Sequence, residues 1–366
     1  MLLKRLFFPL LLPGLIVISF TEGFSQGLAA YTDFRKHFHV FDNGHFRQLE
    51  HLQVRSFKVS KWCVAYRRND GALMVYHDGQ KKELSKVVRD YRVTEGLVVY
   101  TFNNNLYVYN GREKRNLTMN APHYKANENM VAYYDQIDKM FKAYYKGEVF
   151  DVESALSNPP VNNYEVGDNL LAYRDPNDYL NAFFEGSTKR LMLLQGRPLY
   201  KADENIVVYY DVSRSAFKLQ HIVSGERELG FFRPESFKLS DNRVVYVENA
   251  GNFMMYENDE LQTLSTNTPD FYMVHDSIMA YEEQNYFKVY YDGQDYTLEN
   301  FIPSQIKYGN NTLAYLNERN HLRVFYNGQV ETISYEPVNS FQVYWDVVWF
   351  NVGVNSNKVY YQGRLY

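Results

Sequence analysis

The stretch FYMVHDSIMAYEEQNYFKVYYDGQDYTLEN, residues 271–300, decides the fold. It divides into four short segments, at 271–275, 277–282, 286–291 and 294–299, each rich in Tyr, Phe, Val or Ile. Apolar residues alternate with polar ones, and no ten-residue window carries a helical stripe, so the segments read as strands. Asp292-Gly293 stands between the third and fourth. Such a pair accepts positive φ at both central positions of a two-residue hairpin, whose twist then matches that of the flanking strands.

Working outward, the same unit recurs along the whole chain. The aromatic ending the second strand reappears at Tyr31, Tyr66, Tyr100, Tyr133, Tyr173, Tyr209, Tyr246, Tyr281, Tyr315 and Phe350, a period of roughly 35 residues. The turn between third and fourth strands keeps the same step, at Gly44, Gly79, Gly111, Gly147, Gly186, Gly225, Asp259, Gly293, Gly328 and Gly363. Its clearest copies are Asn43-Gly44, Asp78-Gly79, Asn110-Gly111, Asp292-Gly293 and Asn327-Gly328, all read as two-residue hairpins. The step from first to second strand is equally tight, as in Gly167-Asp168-Asn169 and Gly309-Asn310-Asn311.

Four antiparallel strands joined by hairpins and repeated many times are the blades of a β-propeller. A parallel β-helix is the rival for a repetitive all-β chain, but its coils are built without regular hairpins. The expected fold is therefore all-β, a propeller of about ten short four-stranded repeats, with almost no helix after residue 27. The first unit begins at its second strand near Leu28, and the last ends at Arg364, Leu365 and Tyr366 with only a stub of its fourth. Two five-bladed rings or an open arc are thus alternatives. No Pro/Gly/Ser linker interrupts the middle of the chain, which favours one continuous ring.

Strand alternation places the residue before each aromatic on the opposite blade face. That residue is small: Ala30, Ala65, Ala132, Ala172, Ala280 and Ala314, with Val99, Val208 and Val245 elsewhere. The expectation is that an aromatic of one blade fills the hollow over the small residue of its neighbour. A strand ending Ala-Tyr, a polar hairpin, a strand ending Tyr-Tyr-x-Gly and a short outer strand together resemble the repeats of TolB-like β-propellers, over nearly all of residues 26–366. That resemblance implies a fold, and a family that includes binding proteins and enzyme-associated domains.

Lys4 and Arg5, the apolar run from Leu6 to Phe20, and the small residues Gly23 and Ser25 read as a secretory signal peptide over residues 1–25. Export without a membrane span is expected, to the periplasm or the outside. The formal net charge of −4 becomes −5 when Lys4, Arg5 and Glu22 are removed, which gives no ground for nucleic-acid binding. Cys63 is the one cysteine, expected to be a buried inert thiol. Asn116 and Asn310 begin Asn-x-Thr sequons.

The second position of the innermost strands reads Lys58, Arg92, Lys125, Glu165, Lys201, Lys238, Met273, Lys307 and Gln342. Six of the nine are basic, and a ring brings them toward one channel, where like charges attract anions. Lys58, Arg92, Lys125, Lys201, Lys238 and Lys307 are therefore the candidate binding residues, for an acidic glycan or a carboxylated or phosphorylated ligand. The competing reading is structural: long basic stems pack between blades. Basic residues also recur in third strands, at Lys142, Lys218, Lys288, Arg323 and Lys358.

Some five-bladed propellers are glycosidases, which makes Asp90, Glu235 and Asp270, just before inner strands, the candidate catalytic carboxylates. His37 and His39 share a strand face, but without a compact carboxylate or cysteine set they read as a solvated hairpin, and no metal or cofactor is expected. The irregular inter-blade loops, carrying Pro122, Pro159, Pro160, Pro234, Pro269, Pro303 and Pro337, share a rim with the second-to-third hairpins. A site is expected on that rim. The functional expectation is a binding or interaction scaffold for a protein, a glycan or a small anion, with a carbohydrate-active hydrolase or a structural envelope component as alternatives. A hydrolase is distinguished by carboxylates converging within about 10 Å in a pocket.

Overall fold

A computed structural model describes residues 27–154, 163–196 and 198–366; the leader at 1–25 and the Pro159-Pro160 loop lie outside them. Every regular element among the described residues is a strand. They form ten sheets, called blades 1 to 10 here, spanning 28–50, 56–85, 90–118, 124–154, 164–193, 200–230, 237–265, 272–299, 306–334 and 338–365. Blade 1 has three strands; each of the others has four, paired antiparallel in sequence order.

The hairpin chemistry is visible in the backbone. Asn43, Asp78, Asp292 and Asn327 take φ of 46–48°, and the glycine after each is also positive. In blade 7, Asn258 and Asp259 both sit in the left-handed region, which explains how an aspartate keeps register in the glycine series. Asn110-Gly111 departs from expectation: the Asn110 side chain accepts the N–H groups of Arg112 and Glu113, opening the turn to four residues. Such an Asx turn competes with the two-residue geometry.

Blades pack face to face through the aromatic and its small partner. Tyr66 shares a buried cluster with Ala30, Tyr100 with Ala65, Tyr133 with Val99 and Tyr173 with Ala132. The series continues with Tyr209 and Ala172, Tyr246 and Val208, Tyr281 and Val245, Tyr315 and Ala280, and Phe350 and Ala314. Each aromatic therefore covers the small residue of the preceding blade, a burial worth about 1.5–3 kcal/mol per ring. The hydroxyls reach polar partners: Tyr100, Tyr133 and Tyr246 donate to the Leu84, Leu117 and Leu229 carbonyls of the preceding blade's outer strand. Those partners explain tyrosine where phenylalanine would fill the hollow equally well.

The ring closes between blades 10 and 1 without exchanging a strand. Ala29 and Phe41 of blade 1 pack with Val347, Val359 and Tyr361 of blade 10. Here a tryptophan takes the small-residue position, and Trp349 stacks on Tyr31 at 5.8 Å. Among the described residues blade 1 has no inner strand, and the Lys61 ammonium of blade 2 lies 4.9 Å over the Trp345 ring of blade 10. One ten-bladed propeller is thus the outcome, rather than two smaller rings or an arc.

Nine blades carry a bulge where the third strand meets the fourth. The third-strand bases follow it and are paired: Lys142 with Asp135 and Asp138, Lys218 with Asp211 and Glu226, Lys288 with Glu283, and Arg323 with Glu299. Cys63 is fully buried, and that burial pushes its thiol up to about 12, as expected of an inert side chain.

Candidate functional site

Strands alternate direction across a blade, so one rim collects the first-to-second and third-to-fourth turns. The other collects the second-to-third hairpins and the inter-blade loops. The inner strands run between the two rims beside the channel.

The six basic candidates lie on these inner strands, and most are already engaged. Lys58 donates to the Tyr91 carbonyl at 2.9 Å, Lys125 to the Tyr164 carbonyl at 2.5 Å and Lys201 to the Phe237 carbonyl at 3.0 Å. Lys238 donates to the Tyr272 carbonyl, and its ammonium sits 4.4 Å over that ring. In each case the acceptor belongs to the next blade's inner strand, so the lysine clasps consecutive blades. Arg92 lies 5.5 Å over the Tyr124 ring, and Lys125 also pairs with Glu165; Lys307 is exposed. Burial, and then the charge of Lys201, lowers the Lys238 pKa. Lys201 and Lys238 are close enough for one charge to act on the other, but both heads are spent as clasps.

Asp90, Glu235 and Asp270 are exposed and belong to the entrances of blades 3, 7 and 8. Only Asp90 has a side-chain contact of note, a 3.5 Å approach from the Tyr124 hydroxyl. The structure does not bring these three together.

What it does bring together is a set of carboxylates in the first-to-second turns. Glu95, Glu128, Asp168, Glu204, Asp241, Asp276 and Asp346 occupy that turn in blades 3 to 8 and 10. At the channel mouth on the tight-turn rim, a cavity of about 590 Å³ is lined by Glu95, Glu128, Asp168, Asp203, Glu204 and Asp276, with Lys58 and Arg92 deeper in. One carboxylate oxygen from each of Glu128, Asp168 and Glu204, on three consecutive blades, lies within 4.8 Å of the others. Asp168 is 2% exposed, and its Oδ1 finds no hydrogen-bond donor among the described residues.

Crowding of acids shows in their protonation. Burial, then the facing Glu204 and Glu128 carboxyls, drives Asp168 far above the usual carboxylate range. Burial, then the Glu204 charge, raises Asp203 to about 7. Glu95 is raised by burial and by Glu128, against the pull of the Lys61 ammonium at 2.6 Å. Burial likewise raises Glu204, Asp241 and Asp346.

This tight-turn mouth is opposite the rim where a site was expected. The turn residues Asp168 and Asn310 were visible in the sequence as turn formers, but the convergence of their side chains was not read from them. The useful signal was acidity repeated in one turn: Glu95, Glu128, Asp168 and Glu204 occupy it in four consecutive blades.

The histidine pair also needs correction. Asp33 Oδ2 stands 3.0 Å from His39 Nε2 and 3.6 Å from His37 Nδ1, so a carboxylate does accompany them. Its geometry follows the repeat, since Asp135–Lys142 and Asp211–Lys218 make the same acid–base contact in blades 4 and 6.

A family model described as "10-bladed beta propeller domain" matches residues 23–366. No curated protein matches the chain. Among solved structures, the computationally designed Ika8 protein is similar at 16% identity and a TM-score of 0.38, over 82% of this chain and 99% of that one. PorZ of Porphyromonas gingivalis, titled a surface component of the type-IX secretion system, is similar at 8% identity and a TM-score of 0.30, over 91% of this chain and 56% of that one. Prp20p from Saccharomyces cerevisiae is similar at 9% identity and a TM-score of 0.33, over 57% of this chain and 74% of that one.

Proposed function

We propose that this chain, which belongs to the 10-bladed β-propeller domain family, is an exported scaffold that engages a protein partner through its loop-bearing rim. The observation that carries the reading is a repeated apolar fringe. Leu52, Val87, Met119, Phe231, Ile302 and Tyr335 each follow an outer strand where it enters an inter-blade loop, and each is exposed, Phe231 by 74%. Two consecutive inter-blade grooves, of about 510 and 430 Å³, contain Leu52 and Val87 respectively. Single exposed apolar residues are ordinary, whereas exposed apolar side chains recurring within three residues of the outer strand's end in six of the blades mark an interaction surface. The leader at residues 1–25 supports export, and the TolB-like cast of the repeats supports a binding role.

The other readings fare less well. An anionic ligand in the channel meets lysines already bonded to carbonyls and six carboxylates at the mouth. A hydrolase gains from converging acids, but the cavity lining is dominated by charged side chains and has one aromatic ring, His275. Organic substrates are held mainly by apolar and aromatic walls.

A photo-crosslinking residue placed at position 87 or 335, in extracts of the source cells, tests the scaffold. The expected result is one common adduct from both positions, lost when Leu52, Met119 and Phe231 are changed to Ser, and no adduct from position 146 on the tight-turn rim. Equal adducts from both rims, or none from either, refute the reading.

A further inference from the structure

We propose that the channel mouth on the tight-turn rim is a binding site for a hard divalent cation of the calcium class, ligated by Glu128, Asp168 and Glu204. This goes beyond the scaffold reading and stands on the opposite rim. Two independent observations carry it. The first is geometric: three carboxylate oxygens from consecutive blades fall within 4.8 Å of one another. Two donors on opposite sides of an ion bonded at about 2.4 Å are separated by about that distance, so small side-chain shifts bring all three onto one ion.

The second is the state of Asp168. Its side chain is buried, lines the cavity, and has an oxygen with no donor among the described residues, facing instead the carboxyl of Glu204. A buried acceptor left without a donor is destabilising, more so when charged, and an ion removes that cost. The Lys61 ammonium, on which the Asp168 charge acts, is committed to Glu95, and the Lys58 ammonium to the Tyr91 carbonyl.

The donor set selects the metal. All three ligands are hard carboxylate oxygens, without the imidazole or thiolate nitrogen and sulfur that favour zinc or copper. The cavity of about 590 Å³ leaves room for the waters that complete a six- to eight-coordinate shell. Blade geometry fixes the site: each ligand sits in a tight turn on a rigid sheet, so little ordering is needed on binding.

The test is Ca²⁺ titration of the mature protein by calorimetry, with Mg²⁺ and Zn²⁺ as competitors and Tb³⁺ luminescence as a second probe. Trp62 donates to the Thr94 carbonyl beside the mouth, which places a sensitising indole near the ion. The expected result is saturable 1:1 binding, weakened at least about tenfold in Asp168→Asn and in Glu204→Gln. Both variants relieve like-charge crowding, so their melting temperatures in chelator should equal or exceed wild type, which separates lost ligation from misfolding. Absence of Ca²⁺ and Tb³⁺ binding up to about 10 mM overturns the proposal. So does unchanged affinity in both variants. Neither outcome touches the loop-rim crosslinking, so the two readings fail separately.

Discussion

Removing Tyr246 probes the packing rule that builds the ring. Its ring is 1% exposed, packs edge-on against Phe217 at 5.2 Å, and shares a cluster with Val208 of the preceding blade. Its hydroxyl donates to the buried Leu229 carbonyl at 3.1 Å. Tyr246→Phe loses one hydrogen bond and keeps the ring, so about 1 kcal/mol should be lost. Tyr246→Ala opens the hollow and should cost about 3–5 kcal/mol. Val208→Phe overfills the same hollow and should cost about 1–3 kcal/mol alone. The double variant Val208→Phe/Tyr246→Ala replaces the lost ring from the other blade, so the two changes should offset each other by about 1 kcal/mol or more. Urea unfolding followed by both circular dichroism and fluorescence measures all four. Strict additivity in the double variant would refute the idea that this ring fills that hollow, whatever the single variants cost.

Two further outcomes follow from named contacts. Burial alone would raise Asp211, but hydrogen bonds from Ser213 and Arg214 and the Lys218 charge lower it; Glu226 is lowered against burial by Tyr209 and Lys218. Both carboxyls hold protons less tightly folded than unfolded, so their stabilisation is present above about pH 4 and is lost as pH falls through their lowered folded values. Lys218 is almost fully buried, so Lys218→Met leaves the buried Asp211 with only the exposed Arg214 guanidinium, 4.0 Å away, as cationic partner; it should cost up to about 3–5 kcal/mol at pH 7 and flatten the acid limb of a stability–pH profile measured by urea unfolding. Glycine substitutions should separate space from conformation. A Cβ on Gly309 would fall 1.6 Å from the Trp345 carbonyl oxygen, whereas Gly147 has φ of +89° and nothing within 4 Å. Gly309→Ala should prevent folding or cost more than about 3 kcal/mol, and Gly147→Ala about 1–2 kcal/mol, with melting temperatures ranking them; the reverse order refutes the assignment.

Much of the architecture was legible because its determinants are local. A two-residue turn needs residues that accept positive φ, and a strand alternates faces, so Asn43-Gly44 and the Ala-Tyr pairs report structure directly. Asn110-Gly111 shows the limit: the pair has the right chemistry, but the Asn110 side chain satisfies two backbone donors of its own and selects a longer turn. The inner-strand lysines show a second limit. Their ring placement follows from the repeat, but their acceptors are carbonyls of the next blade, some 33 to 39 residues away, which no local pattern reveals.

The acidic mouth follows from multiplication by the ring. A turn residue chosen in one blade for backbone reasons is copied into the next, and the copies meet at the axis even though no two are neighbours in sequence. Backbone preference accounts for Asp241 and Asp276, whose φ of 51° and 46° lie in the left-handed region that Asp tolerates. It does not account for Glu95, Glu128 or Glu204, and Glu204 holds φ of 44°, where glutamate has no local advantage. Their longer side chains bring more negative charge into a mouth where burial and neighbouring acids already raise the pKa of Asp203 and Asp168. Glu204, in a left-handed backbone and among facing acids, gains most from a compensating interaction. A cation shared by Glu128, Asp168 and Glu204 supplies one, and Glu204 is the ligand that argues for it most directly.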